Sequence, residues 1–152
     1  MNKVVIILMV LITQITIAQN HKRSYANRVV NFPENTATPL TAQERSFIDE
    51  AYAHEAQRLI YNNPTMLKSI KHILRNRVII YQATSNVEYQ KAELLSSVPV
   101  FTACNDELER DIVFNPNTFN PLKYSFQFFS KKSFLFRVDG TNFMIMIKSQ
   151  FN

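Results

Sequence analysis

Apolar positions along the chain change period twice. From Phe47 to Ile60, the residues Phe47, Ile48, Ala51, Tyr52, Ala56, Leu59 and Ile60 recur every three to four positions. That spacing puts them on one face of an α-helix. Thr41, followed three residues later by Glu44, is a capping-box signature and marks the helix start. Asn62, Asn63 and Pro64 end it and open a second helix, because proline suits the first helical position. Met66 or Leu67, Ile70, and Ile73 or Leu74 carry a second stripe to about Asn76. The period then shortens. The run "RVIIYQ" (Arg77–Gln82) is β-branched, aromatic and too short for a helix, so it predicts a strand. Thr84 to Leu95 reads two ways, since "SNVE" suits a helix cap and "KAELL" has helix propensity. Pro99 confines "VPVF" (Val98–Phe101) to an edge or a loop. "NDELERDI" (Asn105–Ile112) predicts one or two further helical turns.

Three strands close the chain in "KYSFQFFS", "SFLFRV" and "NFMIMIK". Asp139-Gly140 is a two-residue type I′ turn signal. It pairs Val138 with Thr141, Phe136 with Phe143 and Phe134 with Ile145. An odd-length loop around Lys131-Lys132 sets Phe128 opposite Phe134 and Phe126 opposite Phe136. One sheet face then carries Phe126, Phe128, Phe134, Phe136, Phe143 and Ile145, and the first helix is its natural cover. The other face is mixed, with Ser125, Gln127, Phe129, Leu135, Arg137, Met144, Met146 and Lys148. The expected fold is α+β: an N-terminal helix pair packed on a C-terminal antiparallel β-meander, in one domain over residues 41–152. The same element order also occurs in NTF2-like cones, whose curved sheets enclose a pocket, and this is the alternative architecture.

Between the helices and the meander stands a repeated Phe-Asn-Pro, at Phe114 and Phe119. Residues before proline are pushed to extended backbone, so Asn115 and Asn120 cannot be helical. Pro116 and Pro121 each remove a donor and preset a turn. The repeat reads as a rigid lead into the sheet, with Phe114 and Phe119 pinning it.

The N-terminus changes the compartment. Lys3, the apolar run Val4–Ile12 and small residues at Thr16 and Ala18 form a signal peptide over residues 1–18. Nine apolar residues are too few to span a bilayer, which takes about 20. Residues 19–40 are polar, hold Pro33 and Pro39, and read as an extended lead. The protein is expected to be exported to the periplasm, cell surface or medium, with no transmembrane segment after cleavage. The single cysteine, Cys104, cannot form an intrachain disulfide, so packing of 12 phenylalanines must hold the domain. Without Lys3 the chain carries 16 basic and 12 acidic residues, a net charge of +4. That is too sparse for a nucleic-acid binder.

One glycine in 152 residues excludes a P-loop, a GxGxxG turn and a GxSxG elbow. Nucleotide-dependent chemistry is therefore not expected, and no cofactor is assigned. "HEAQR" (His54–Arg58) starts like a zinc-protease helix, but Arg58 replaces the second histidine. His54 is expected to pair with Glu50 instead. Asp106, Glu107, Glu109 and Asp111 lack the order of a calcium loop. Cys104, between apolar and acidic neighbours, reads as an inert thiol. No catalytic constellation emerges. Two surfaces are candidates for interaction. One is the mixed sheet face, with Phe129, Arg137 and Lys148. The other is the basic helix "LKSIKHILRNR", with Lys68, Lys71 and Arg75 on its outer side, which suits weak contact with an anionic membrane surface.

"FNPLKYSFQFFS" followed by "FRVDGTNFMIMIKSQ", behind a signal peptide, resembles small exported bacterial proteins of unknown function. The resemblance covers Asn115 to Gln150 and implies no activity. The expected function is a non-enzymatic binding module meeting a protein or small ligand. The alternatives are a small-ligand pocket protein or cone-fold enzyme, and a membrane-surface protein.

Overall fold

The structure, a computed structural model, describes residues 29–84 and 86–151, without the side chains of residues 86–88. The expected signal peptide and residues 19–28 of the expected lead lie outside the described residues. The architecture is α+β, with helices ahead of most of the sheet. Helix α1 spans Ala42–Tyr52. The capping box forms: the Thr41 hydroxyl accepts from the Glu44 amide at 3.1 Å, and Glu44 Oε2 accepts from the Thr41 amide at 2.8 Å.

The apolar stripe continues past Tyr52, but the α-helix does not. Ala53 takes φ 45° and ψ −129°, a backbone state that a Cβ disfavours. A 3₁₀ turn (Ala53–Glu55) and a π-helical turn (Gln57–Tyr61) follow. The stripe itself explains the break. Ala51 and Ala56 are both buried, yet five residues of unbroken α-helix would set them about 140° apart. The kink re-phases the chain so that Ile48, Ala51, Ala56 and Ile60 all face the core.

Helix α2 spans Pro64–His72, capped by the Asn63 side chain, and runs into a π-helical turn at Ile73–Arg77. Strand β1 (Val78–Gln82), a short helix α3 (Asn86–Lys91), and strands β2 (Glu93–Leu94), β3 (Phe134–Arg137) and β4 (Phe143–Ile147) complete the regular elements. The sheet order is β1-β4-β3-β2, with β2 parallel to β3 and the other pairs antiparallel.

Two expectations about the sheet are corrected. First, "KYSFQFFS" is not a strand. Asn120 caps a 3₁₀ turn at Pro121–Lys123, and the Phe126 and Phe128 amides then bond two residues back, to Tyr124 O and Phe126 O. Strands β2 and β4 hold the two edges of β3, and β1 takes the far edge of β4, so the meander does not form. The alternation of buried and exposed residues survives without the ladder: Tyr124, Phe126 and Phe128 are buried, and Ser125, Gln127 and Phe129 are exposed. Phe126 lies on Phe136, ring centroids 5.1 Å apart, as its place on the inner face requires.

Second, the Asp139-Gly140 turn is not type I′. Gly140 has φ 67°, but Asp139 does not share the positive φ that type I′ needs. The loop is longer, and Phe136 pairs with Ile145 rather than Phe143. The shift is two residues, so every side chain keeps its face. The Asp139 carboxylate explains the preference: it accepts from Ser96 N at 2.9 Å and Ser96 Oγ at 2.6 Å, which ties the loop to the turn after β2.

The core lies between the helices and one sheet face, where Ile48, Ile60, Ile70 and Ile73 meet Phe136, Ile145 and Ile147. Burying each such side chain is worth about 1.5–3 kcal/mol. Arg77 is buried beside this core, 3% exposed. Its guanidinium donates to Lys148 O at 3.1 and 2.9 Å and to Phe128 O. It thus ties the start of β1 to the end of β4 and to the aromatic segment.

Candidate functional site

Residues 101–120 contain no helix or strand. The expected helical turn at Asn105–Ile112 does not form. Twenty irregular residues are unusual inside a compact domain, where such loops commonly carry function. This loop is tied down along its length. The Asn105 side chain donates to Glu50 O at 2.9 Å. Arg110 donates to Leu95 O at 2.9 Å and to Val98 O at 2.5 Å, and its guanidinium lies over the Tyr124 ring at 5.3 Å. The Gln43 side chain donates to Asn117 O at 2.6 Å. Asn120 donates to Phe47 O at 2.9 Å and to Glu50 Oε2 at 2.8 Å. Phe114 packs on Phe119 and Phe143, with centroids at 5.2 and 5.4 Å.

A charged network supports the loop from beneath. Lys123 bridges Asp111 at 2.7 Å and Glu50 at 3.1 Å. The Tyr124 hydroxyl donates to Asp111 Oδ2 at 2.9 Å and accepts from the Asp111 amide at 3.3 Å. Burial pulls the Lys123 ammonium down, but its bonds to Asp111 and Glu50 outweigh that and hold it above its ordinary value. Burial, reinforced by the bond to Asp111, pushes the Tyr124 phenol up to about 12. Glu50 therefore serves Lys123 and Asn120, not His54, whose nearest acid is Glu55 at 3.6 Å.

Against this support, Ile112 is 98% exposed and Val113 is 80% exposed. They are adjacent, and Asp106, Glu107 and Glu109 are exposed on the same loop. A cleft of about 200 Å³ opens beside Ile112, bounded by Arg110, Asp111, Tyr124 and Asp139. Its ionic groups are already bonded: Arg110 to two carbonyls, Asp111 to Lys123 and Tyr124, and Asp139 to Ser96. Ile112 and Val113 were missed by reading the sequence, because an apolar pair without periodicity looks like any buried pair. The only signal was the length of chain between "VPVF" and the 3₁₀ turn.

A second cleft, of about 320 Å³, lies on the aromatic segment. Tyr52, Phe101, Phe126, Phe128 and Phe129 are among the residues around it. Phe129 is 58% exposed. Cys104 is half-buried, and burial followed by the Glu55 charge raises its thiol. A raised thiol is a poor nucleophile.

The expected interaction residues scatter. Phe129 is exposed, but it stands outside any strand and so is not joined to Arg137 by a ladder. The Arg137 guanidinium lies over the Tyr89 ring at 5.1 Å. Lys148 is half-buried just beyond β4. The basic helix does not present an open charged side, which corrects that expectation. Lys71 is buried and donates to Thr38 O at 2.7 Å. Arg75 pairs with Glu44 and also donates to Thr38 Oγ1 at 2.6 Å and Pro39 O at 2.8 Å. Lys68 remains exposed, with its ammonium 4.9 Å from the Phe32 ring centroid. The lead segment lies over the positions that were to face an anionic surface.

Among the described residues, no group of three or more metal-ligating side chains comes together, and no helix is long and apolar enough to cross a membrane. No family model matches the sequence, and no curated protein or solved structure matches it.

Proposed function

We propose that this chain is an exported, non-enzymatic interaction protein that meets a protein partner through the Ile112–Val113 tip. The carrying observation is the exposure of Ile112 and Val113 on a loop fixed on both sides by Arg110, Asp111, Asn117 and Asn120. An apolar pair held in water gains nothing for this fold. Burying the two against a partner would contribute about 1.5–3 kcal/mol each. Little of that would be spent on ordering the loop, because its neighbours are already bonded. Export rests on the signal peptide read from residues 1–18.

The ionic groups of the cleft beside the tip support binding over catalysis. A general acid or base needs a proton or lone pair free to reach substrate. Here Asp111 is taken by Lys123 and Tyr124, Asp139 by Ser96, and Arg110 by two carbonyls.

The test compares wild type with the Ile112→Asp/Val113→Asp double variant, after checking that their melting temperatures agree. Each is cross-linked in envelope extract and the captured proteins are quantified. The expected result is a protein enriched at least tenfold by wild type and lost with the variant. Equal capture by both would overturn the reading.

A further inference from the structure

We propose that the aromatic cleft is a binding site for a neutral, ring-bearing small molecule. The proposal stands apart from the loop reading, since the cleft and the Ile112–Val113 tip share neither residue.

The cleft volume of about 320 Å³ falls at the small end of ligand sites, which are mostly apolar with a few placed polar groups. Rings dominate its walls. Phe101 and Tyr52 form one pair, centroids 5.5 Å apart, and Phe126 and Phe128 form another at 5.7 Å. Phe129 stands at the rim with more than half its surface in water. Flat ring systems stack on or against such walls at centroid distances of about 4.5–7 Å.

The lining selects against charge. Among the described residues it contains no Lys, Arg, Asp or Glu. A charged ligand would lose hydration there without gaining a partner. Ser125 and Tyr52 bring hydroxyl groups to the lining, and the Tyr52 hydroxyl makes no hydrogen bond among the described residues. Burial raises the Tyr52 phenol to about 12, so it stays protonated and able to donate. The Tyr124 hydroxyl is held by Asp111 and plays no such part.

The walls are built before any ligand arrives. Phe101 N donates to Lys123 O at 2.7 Å and Ser125 N to Pro99 O at 2.8 Å. Arg77 holds Phe128 O, and the Gln150 side chain donates to Phe129 O at 2.6 Å. Those bonds also argue against an extended peptide as occupant. A peptide adding to this surface would need free backbone groups, and these are already used.

N-phenyl-1-naphthylamine, a neutral fluorescent ring compound, is the probe. Titration of the wild-type protein should show saturable binding at one site per chain. Phe129→Ala removes an exposed ring and should raise the probe Kd at least fivefold. Ser125→Phe places a ring in the cleft from an exposed position and should weaken binding at least tenfold. The anionic analogue 1-anilinonaphthalene-8-sulfonate should bind at least tenfold more weakly than the neutral probe. The Ile112→Asp/Val113→Asp variant should bind the probe as wild type does, so failure of the loop reading and failure of this one are separable. Unsaturable binding, or equal affinity in wild type and both cleft variants, would overturn the proposal.

Discussion

Glu44 and Arg75, 31 residues apart, form a two-pronged ion pair with Nε–Oε1 at 2.5 Å and Nη2–Oε2 at 2.6 Å. The same carboxylate closes the capping box of α1. Arg75 also holds Asn35 O, Thr38 and Pro39. One pair thus joins the start of α1, the end of the second helical stretch and the lead segment.

Arg75→Met should therefore cost about 3 kcal/mol, since it leaves a mostly buried carboxylate without its cation. Urea unfolding measures this. The hydrogen bond from Arg75 holds the Glu44 carboxyl below its ordinary value of 4.5, against the opposing effect of burial. A carboxyl with a depressed folded-state pKa adds stability above its unfolded value, and that stability is lost as pH falls through the folded value. The gap between wild type and Arg75→Met should accordingly narrow on acidification below 4.5. A constant gap would show that the contacts with residues 35–39, and not the ion pair, dominate.

His72 predicts a second pH effect at higher pH. It is 3% exposed, its Nε2 has no partner among the described residues, and its Nδ1 meets the Asn76 side chain at 3.3 Å. Phe32 lies edge-on to the ring at 5.4 Å. Burial first, and the Arg77 charge second, lower its pKa below the ordinary 6.5. The folded protein then binds fewer protons than the unfolded chain between the depressed value and 6.5. Stability is full above that window and falls as pH drops through it. The melting temperature should decline between about pH 7.5 and pH 5.5, and His72→Gln should flatten that decline.

Phe119→Ala tests the role of the Phe-Asn-Pro repeat. Phe119 is buried, stacks on Tyr124 at 5.2 Å and contacts Phe114 at the same distance. Its truncation should cost about 3–5 kcal/mol. A variant of unchanged melting temperature would show that the repeat does not pin the connector.

Two positions with positive φ predict opposite outcomes. At Gly140, φ is 67° and an added Cβ meets nothing within 4 Å, so Gly140→Ala isolates the backbone term. It should cost about 1 kcal/mol. At Ala53, φ is 45° with a Cβ already present. Ala53→Gly should stabilise by about 1 kcal/mol, because relief of strain exceeds the added chain entropy. Melting temperatures of the two variants should move in opposite directions.

The candidate site was far less legible in the sequence than the fold. The sequence places Phe129 on the mixed sheet face with Arg137 and Lys148, whereas it stands outside any strand and borders the aromatic cleft instead. Tyr52 and Phe101, which complete that cleft, lie 49 positions apart in the sequence, and only the folded chain sets their rings 5.5 Å apart. Lys71 and Arg75 were read as outward because helical spacing shows which residues share a side, not what covers that side.

Local physics determined the α+β class, the capping box at Thr41, the start of α2 at Pro64 and the inner set of phenylalanines. Each depends on neighbours within a few residues, or on a period that burial enforces. Tertiary structure decided the rest. Backbone groups of β3 can pair with either of two neighbours, and β2 and β4 took both edges, so Phe126 and Phe128 reached the core without a ladder. Asp139 found Ser96, 43 residues away, and lengthened a turn that its own sequence favoured as short. The same long-range bonds that fix residues 101–120 left Ile112 and Val113 in water, where hydrophobicity alone would not have put them.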